Sequence, residues 1–191
     1  MLTEKQKMLS GQLYNPMDEE LTQMRLNARL RLEQLNASSE SQPEIRKTIL
    51  QELIPNQGKN LWLNPPFYCD YGVNIHLGDN VFFNFNCTLL DVAEIRIGHR
   101  TLIGPNVQIY TPTHPIGHTL RASGVEAGKA ISIGDDVWIG GGVVICPGVR
   151  IGNRTIIGAG SVVTKDIPDD VIAVGNPCRI LKRIETVDDE Q

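Results

Sequence analysis

The sequence of 191 residues has few aromatic side chains and no excess of positive charge. Aromatic residues make up 5% of the chain, so a core built on large rings is not expected. The formal net charge is −4, which argues against nucleic-acid binding because that function needs a basic surface. A few local cations would still suffice to bind one phosphate-bearing ligand.

Long hydrophobic runs and closely spaced cysteines are also missing. No stretch reaches the roughly 18 to 20 apolar residues that a membrane span needs, and the first residues contain no apolar signal region. The chain is therefore expected to be cytoplasmic, with no membrane partner. The cysteines form no CxxC pair, so a zinc site is not expected. They are Cys69, Cys87, Cys146 and Cys178.

Residues 1–56 have the pattern of a helical domain. An Asn-Pro pair at 15–16 followed by three acidic residues is typical of a helix start. After a break at 36–41, Ser41 and Glu44 predict a capping box for a second helix, which Pro55 ends. In the first helix, apolar residues at every third or fourth position predict one buried face. They are Leu21, Met24, Ala28, Leu32 and Leu35.

From about residue 70 the sequence repeats every six residues. The second position is glycine in four of six consecutive hexads, and the fifth is small or β-branched. An earlier block that starts at Leu77 has the same period. A period of six is too long for a helix face and fits a short strand followed by a tight turn. The aliphatic first positions of the six hexads are Ile133, Ile139, Ile145, Ile151, Ile157 and Val163.

This repeat predicts a mainly β fold in which three hexads form one triangular coil. The first residue of each hexad points into a narrow interior, and the glycine beside it permits the turn, where a positive φ is expected. Coils stack at the spacing of neighbouring strands, roughly 4.8 Å, and each buries its surface against the next. The predicted repeat domain covers 57–182, and a C-terminal tail covers 183–191.

A long segment, 110–132, interrupts the repeat and predicts an extruded loop. Ile109 and Ile133 are separated by 24 positions, a multiple of six, yet the residues between them fit no hexad. Long loops inside compact repeats usually serve a function. The loop contains His114 and His118. His114 is a candidate general base, because an unperturbed imidazole titrates near pH 6.5, although a loop histidine can also serve only as a local hydrogen-bonding group.

Taken together, these motifs resemble the maltose/galactoside O-acetyltransferases, and the maltose branch most closely. The resemblance rests on the hexads, on the loop Thr111-Pro-Thr-His114-Pro, on 124–129, on 158–179 and on the opening residues 4–14. It implies a left-handed parallel β-helix with an N-terminal helical acceptor-side cap, and a homotrimer with active sites between subunits. It also implies transfer of acetyl from acetyl-coenzyme A to a sugar hydroxyl, typically the 6-hydroxyl.

The resemblance also assigns roles to individual residues. His114 matches the catalytic histidine, and Glu126 matches an acidic loop residue that would orient His114 or bind the sugar. Acceptor binding is implied for four residues, Arg25, Asp70, Asn84 and Asp91. Contacts to the coenzyme are implied for Trp138, Gly141, Ala159, Thr164, Lys165 and Arg179. No metal is implied. Val92 stands where galactoside-type members carry a second acid, which favours maltose or glucose as the acceptor.

Simpler roles stay open for several of these residues. Glu126 can be a solvated loop acid, Asn84 a turn residue and Asp70 a cap of the first turn. Arg25, Lys165 and Arg179 can be surface cations. The glycines are required by turn geometry in any case.

Two other functional classes fit the fold less well. A β-helical metalloenzyme would need three convergent histidines at an open site, and the histidine spacing does not resemble that class, with His76 and His99 on repeat faces. A noncatalytic trimeric binding protein would not need the His114 loop or the Thr164-Lys165 segment. Within the acetyltransferases, the acceptor can also be a galactoside, an oligosaccharide signal or a xenobiotic.

Overall fold

The computed structural model describes residues 1–185 and joins N-terminal helices to a stack of short parallel strands. Residues 186–191 of the predicted C-terminal tail lie outside the described residues. The helices are α1 Glu4–Leu9, α2 Glu19–Asn36, α3 Pro43–Leu53 and α4 His118–Ala122. The strands are β1 Trp62–Leu63, β2 Phe67–Cys69, β3 Ile75–Leu77, β4 Phe82–Phe83, β5 Cys87–Leu90, β6 Ile95–Ile97, β7 Leu102–Ile103, β8 Gln108–Tyr110, β9 Pro112–Thr113, β10 Ala127–Gly128, β11 Ile131–Ile133, β12 Trp138–Ile139, β13 Val144–Ile145, β14 Arg150–Ile151, β15 Ile156–Ile157, β16 Val162–Val163, β17 Val171–Val174 and β18 Arg179–Arg183.

Three parallel sheets form the faces of a triangular prism. The mixed face contains β2, β5, β8, β13 and β16, and the polar face contains β3, β6, β11 and β14. The apolar face contains β1, β4, β7, β12, β15 and β17, with β18 added antiparallel at its end. The chain visits the mixed, polar and apolar faces in turn. Stacked triangular coils are confirmed as the basis of the fold.

The interior of the prism is built from the first and fifth positions of the hexads. The aliphatic first residues are buried, and so are the fifth residues of the same hexads. Buried hydroxyls among them bond to the carbonyls of the corners. The Thr155 hydroxyl donates to the Pro168 carbonyl at 2.8 Å, and the Ser161 hydroxyl donates to the Gly158 carbonyl at 2.6 Å. These bonds remove the cost of burying polar groups without a partner.

The glycines at the second hexad position have a different role from the one predicted. A positive φ occurs instead at the fourth position, as at Asp136 (57°) and Arg154 (53°). The second-position glycine is needed for close stacking of the coils. A Cβ at Gly140 would lie 2.5 Å from the backbone nitrogen of Ala159 in the next coil. The prediction of positive φ at this position is wrong because neighbouring coils, rather than the turn, exclude a side chain there.

The helix starts also differ in part from the sequence patterns. Asn15 forms a turn by accepting from the Met17 N–H at 3.0 Å, and α2 begins later with Asp18 as its N-cap. The capping box predicted at Ser41 and Glu44 is wrong. The Ser41 hydroxyl instead bonds to the Ser39 hydroxyl at 2.8 Å, and Gln42 precedes α3 without a capping bond from its side chain.

The helices cover one end of the prism and one of its corners. α2 and α3 join the main core through Leu32, Leu35, Leu50 and Leu53. A second, smaller core, here named the cap cluster, contains Met8, Tyr14, Leu21, Tyr71 and Val92. It ties the first 21 residues to the corner between the mixed and polar faces. Among residues 1–185, no helix combines the length and the apolar character required to cross a membrane.

Candidate active site

The extruded loop leaves the mixed face after β8 and returns to the polar face at β11. Its base is held by the antiparallel pair β9–β10, in which Thr113 lies opposite Ala127. The Thr113 hydroxyl donates to the Ala127 carbonyl at 3.2 Å. The outer part contains α4 and Ile116, which is 98% exposed. The paired base therefore gives His114, which directly follows β9, a defined position.

His114 and Glu126 are brought together by this pairing. His114 Nε2 lies 3.8 Å from Glu126 Oε2. The distance is longer than a hydrogen bond and is within the range of an ion pair. The imidazole is 52% exposed, whereas the carboxylate is 15% exposed. The loop thus presents an accessible imidazole in front of a largely buried carboxylate.

Asp70 and Arg25 lie at the same corner. Burial raises the pKa of the Asp70 carboxyl to about 6; the negative charge of Glu126 adds to this effect, and Arg25 and Arg29 oppose it. Arg25 Nη1 donates to the Tyr71 hydroxyl at 2.8 Å, and Nη2 donates to the Pro16 carbonyl at 2.5 Å. The corner therefore brings four groups together. They are the carboxyl groups of Asp70 and Glu126, the hydrogen-bonded guanidinium of Arg25 and the exposed imidazole of His114.

Asp91 is placed differently from a residue that contacts a ligand. It is fully buried at the end of β5. Its carboxylate accepts from the backbone N–H groups of Asp70 at 3.0 Å, Tyr71 at 2.8 Å and Asn74 at 3.3 Å. Direct contact with an acceptor would require it to abandon these donors. The geometry supports a correction of the predicted role: Asp91 holds the backbone of Asp70 in place.

The buried Asp91 makes stability depend on pH. Burial raises its pKa to about 7 from an ordinary value of 3.8, so the folded protein holds this proton more tightly than the unfolded chain. The resulting stabilisation is fully present below about pH 4 and is lost as pH rises toward 7. At about 1.4 kcal/mol per pKa unit, the loss is on the order of a few kcal/mol.

We expect Asp91→Asn to flatten this dependence. Urea unfolding at a series of pH values from about 4 to 8 measures the free energy of unfolding of both proteins. The free energy of unfolding of Asp91→Asn, relative to that of the wild type, should increase as pH rises. Parallel curves would show that Asp91 does not titrate in this window.

The remaining predicted residues lie away from His114 in the same protomer. Asn84, Gly141 and Ala159 lie at the corner between the apolar and mixed faces, and Trp138 lies on the apolar face with 54% exposure. Asn84 Oδ1 accepts from the Phe85 N–H at 2.8 Å, as a turn residue does. The corner that contains Asp70 lies at the other edge of the mixed face. One hexad of that face, at most roughly 20 Å of chain, separates the two corners.

The three remaining predicted residues lie near the last coils. Thr164 and Lys165 are exposed after β16, and Arg179 is exposed on β18. Arg179 Nη1 donates to the Cys178 carbonyl at 2.8 Å. One protomer therefore gathers His114, Glu126, Asp70 and Arg25, and it leaves Asn84, Gly141 and Ala159 on another corner. Thr164 and Lys165 lie on the corner between the mixed and polar faces, two strands along the mixed face from β8.

Tyr14 lies at the same corner, although the sequence pattern does not predict it there. Its hydroxyl donates to Glu126 Oε1, and its backbone pairs with the backbone of Glu126. The only signal in the sequence was the match of residues 10–14 to the cap of the maltose branch, because no spacing rule links residues 14 and 126.

The two histidines on the repeat faces have local partners. His76 Nε2 lies 3.1 Å from Glu94 Oε1, and His99 Nδ1 accepts from the Asp79 N–H at 2.9 Å. In the part of the chain that the structure describes, 1–185, no three His, Cys, Asp or Glu side chains form a group that could hold a metal ion.

The hexads, the loop and the cap define the class of hexapeptide-repeat transferases. Residues 7–58 match the family model of the maltose acetyltransferase hexapeptide capping motif, and residues 130–165 match that of the bacterial transferase hexapeptide with six repeats. Both matches fall on the elements described above, the helical cap and the last coils.

Relatives cover nearly the whole chain. Galactoside O-acetyltransferase of Escherichia coli (strain K12) is 43% identical over 183 residues, which are 96% of this chain and 90% of that protein. The crystal structure of a maltose O-acetyltransferase from Clostridium difficile 630 is 50% identical, with a TM-score of 0.95 and coverage of 96% and 98%. A galactoside acetyltransferase in complex with coenzyme A is 42% identical, with a TM-score of 0.93 and coverage of 97% and 92%.

The chain belongs to the maltose/galactoside O-acetyltransferase family, and it is an O-acetyltransferase. The predicted left-handed parallel β-helix is confirmed, because a coil of the opposite hand would not superpose on these structures at such scores.

Proposed function

We propose that this enzyme transfers the acetyl group of acetyl-coenzyme A to a hydroxyl of a sugar such as maltose or glucose, with His114 as the general base. The observation that carries the proposal is the pairing of the exposed His114 imidazole with the largely buried Glu126 carboxylate, beside Asp70 and Arg25. The names of the relatives, which include maltose, galactoside and coenzyme A, support the same substrate classes.

The reaction needs a base because an alcohol is a weak nucleophile at neutral pH. His114 takes the proton of the sugar hydroxyl while the oxygen attacks the carbonyl carbon of the thioester. The tetrahedral adduct then collapses and the carbon–sulfur bond breaks. The imidazolium returns the proton to the departing thiolate, so the products are the acetyl ester and the free thiol. The carboxylate of Glu126 stabilises the imidazolium and orients the ring.

Acceptor binding falls to the polar groups around this pair. An ionised Asp70 accepts from sugar hydroxyls, and Arg25 of the acceptor-side cap, residues 1–56, donates to them. Val92 is 3% exposed and packs in the cap cluster, so it offers no second acid near Asp91. This supports maltose or glucose, acetylated at the 6-hydroxyl, over a galactoside.

The corner between the apolar and mixed faces fits the coenzyme. A Cβ at Gly160 would meet nothing within 4 Å, and one at Gly142 would meet only a backbone nitrogen at 4.0 Å. This leaves room for a narrow pantetheine arm along the backbone of Gly141 and Ala159, with Trp138 beside it. Thr164, Lys165 and Arg179 would hold the phosphate-rich end, where cations are favourable.

The apolar face supports the proposed homotrimer. Its outward side chains lie in one register and are all apolar, whereas those of the polar face include charged and polar groups. Contiguous exposed apolar surface of this kind marks an interface. The outward ladder of the apolar face is Trp62, Phe82, Leu102, Trp138, Ile156 and Ile172. That of the polar face is His76, Arg96, Ser132 and Arg150.

The positions of the site residues explain why a trimer would be needed. His114 and the proposed contacts to the pantetheine arm, Gly141 and Ala159, lie on different corners of one prism, so a complete site requires one corner from each of two copies. Such a contact is heterologous, and heterologous contacts form a ring when the rotation between copies closes. A ring of three copies gives three sites between subunits.

An acceptor screen tests the proposed function. Release of free thiol from acetyl-coenzyme A is measured with maltose, glucose and galactosides, and without any sugar. We expect turnover with maltose or glucose to exceed turnover with galactosides. The acetylated carbon is read from the NMR spectrum of the product. Coenzyme binding without acetyl transfer to any sugar would contradict the proposal and favour the noncatalytic class.

A further inference from the structure

We propose that Tyr14, in the N-terminal cap, is a positioning residue for the catalytic pair and acts by fixing the carboxylate of Glu126 toward His114. This inference rests on the proposed function of the same site. It gives the cap a second role besides acceptor binding, which is to orient the general base, His114.

Three contacts join Tyr14 to Glu126. The Tyr14 N–H donates to the Glu126 carbonyl at 3.0 Å, and the Glu126 N–H donates to the Tyr14 carbonyl at 3.2 Å. The Tyr14 hydroxyl donates to Oε1 of the same glutamate. Both backbone and side chain of Glu126 are therefore held by one residue that lies 112 positions earlier in the chain.

The two carboxylate oxygens of Glu126 are divided between Tyr14 and His114. Oε1 accepts from the Tyr14 hydroxyl, and Oε2 lies 3.8 Å from His114 Nε2. The terminal torsion of a glutamate is otherwise broad, so a carboxylate without Tyr14 could rotate away from the imidazole. The hydrogen bond from Tyr14 to Oε1 fixes the plane of the carboxylate, so that Oε2 faces the His114 ring.

Tyr14 is suited to this task because its own position and protonation state are fixed. The side chain is 1% exposed and packs in the cap cluster with Met8 and Leu21. Burial, followed by the bond to Glu126, raises the pKa of the Tyr14 phenol far above its usual range. The hydroxyl therefore remains a donor at every pH at which the enzyme would be assayed.

The chain around Tyr14 is also anchored to the returning strand of the loop. A Cβ at Gly11 would lie 3.2 Å from the Gly128 carbonyl, so the segment passes close to β10. The Asn15 N–H donates to Glu4 Oε2 at 2.6 Å, which ties the segment to α1. The cap and the loop strand form one unit, with Tyr14 and Glu126 at their junction.

Tyr14→Phe tests the inference because it removes only the hydroxyl. We expect kcat for acetyl transfer to fall about tenfold to a hundredfold, since small displacements of a catalytic group have effects of this size. The KM for acetyl-coenzyme A should stay within about twofold, because Tyr14 contacts no predicted coenzyme residue. Thermal unfolding shows that the variant is folded.

Leu21→Val is the matched control. Leu21 is fully buried in the same cap cluster, and the substitution weakens packing without touching Glu126. We expect it to lower the melting temperature while kcat changes less than about twofold. Equal losses of kcat in Leu21→Val and Tyr14→Phe would show that Tyr14 acts only through the stability of the cap, and would overturn the inference.

A double-mutant cycle with Glu126→Gln keeps the inference separate from fold stability. If Tyr14 acts through the carboxylate, Tyr14→Phe should lower kcat little further when Glu126→Gln is already present. A full additional loss overturns the proposal. If the wild-type protein does not acetylate any sugar, the proposed function fails; if it does, and Tyr14→Phe retains normal kcat, the positioning role alone fails.

Discussion

Replacement of His114 by alanine is expected to lower kcat at least a hundredfold. The alanine leaves no group on the loop to take the proton of the acceptor hydroxyl, and general-base catalysis is worth roughly 10²–10⁴-fold. The imidazole is half exposed and its nearest charged partner is Glu126 at 3.8 Å, so its removal should cost little stability. Steady-state kinetics with acetyl-coenzyme A and maltose gives kcat, and size-exclusion chromatography gives the oligomeric state.

His118→Ala provides the control for this experiment. His118 is exposed on the same loop, at the start of α4, and has no place in the proposed mechanism. Its kcat should stay close to that of the wild type. Near-normal turnover in His114→Ala would refute the role of His114 as the base, whatever the oligomeric state of the variant.

The second large effect concerns the apolar face. Leu102→Glu places a charge at the middle of the outward ladder, between Phe82 and Trp138. Burying that charge against a neighbouring copy would be costly, so we expect the protein to become monomeric. Because the proposed site combines corners from two copies, acetyl transfer should fall by on the order of a hundredfold or more.

Ser132→Glu introduces the same charge on the polar face and is the matched control. Ser132 occupies the outward register of β11, next to Arg96 and Arg150, where a carboxylate is accommodated. This variant should remain trimeric and active by light scattering and by the thiol-release assay. A trimeric, fully active Leu102→Glu protein would place the subunit contact elsewhere.

The sequence predicted the coil well and its corners less well. The first residue of each hexad points into the prism as expected, because a period of six reflects the burial of each coil against the next, and the structure adds that the fifth residue is buried as well. The repeat pattern predicts the positive φ at the second position, which is wrong. It occurs at the fourth residue, where Asp136 and Arg154 adopt it. The second-position glycine is necessary because neighbouring coils lie close together. That spacing cannot be seen in the sequence of one hexad.

The acidic residues show the same limit. Asp70 and Asp91 both matched acceptor positions, yet the structure places Asp70 in the corner beside Arg25 and Asp91 beneath it, with backbone donors around its carboxylate. Both follow mixed-face strands and look alike in the sequence. Asp70 and Asp91 differ in burial because the cap packs over the corner. A local sequence pattern does not predict that packing.

By itself, the sequence determined the repeating coil, the loop that carries His114 and the family, because these depend on residues that are close along the chain. Only the tertiary structure decided which groups meet at the loop. Tyr14 and Glu126 are joined across 112 positions, and Gly141 and Ala159 lie on a different corner from His114. Contacts of this kind arise from the stacking of coils and the docking of the cap, so their physical cause is packing between distant segments.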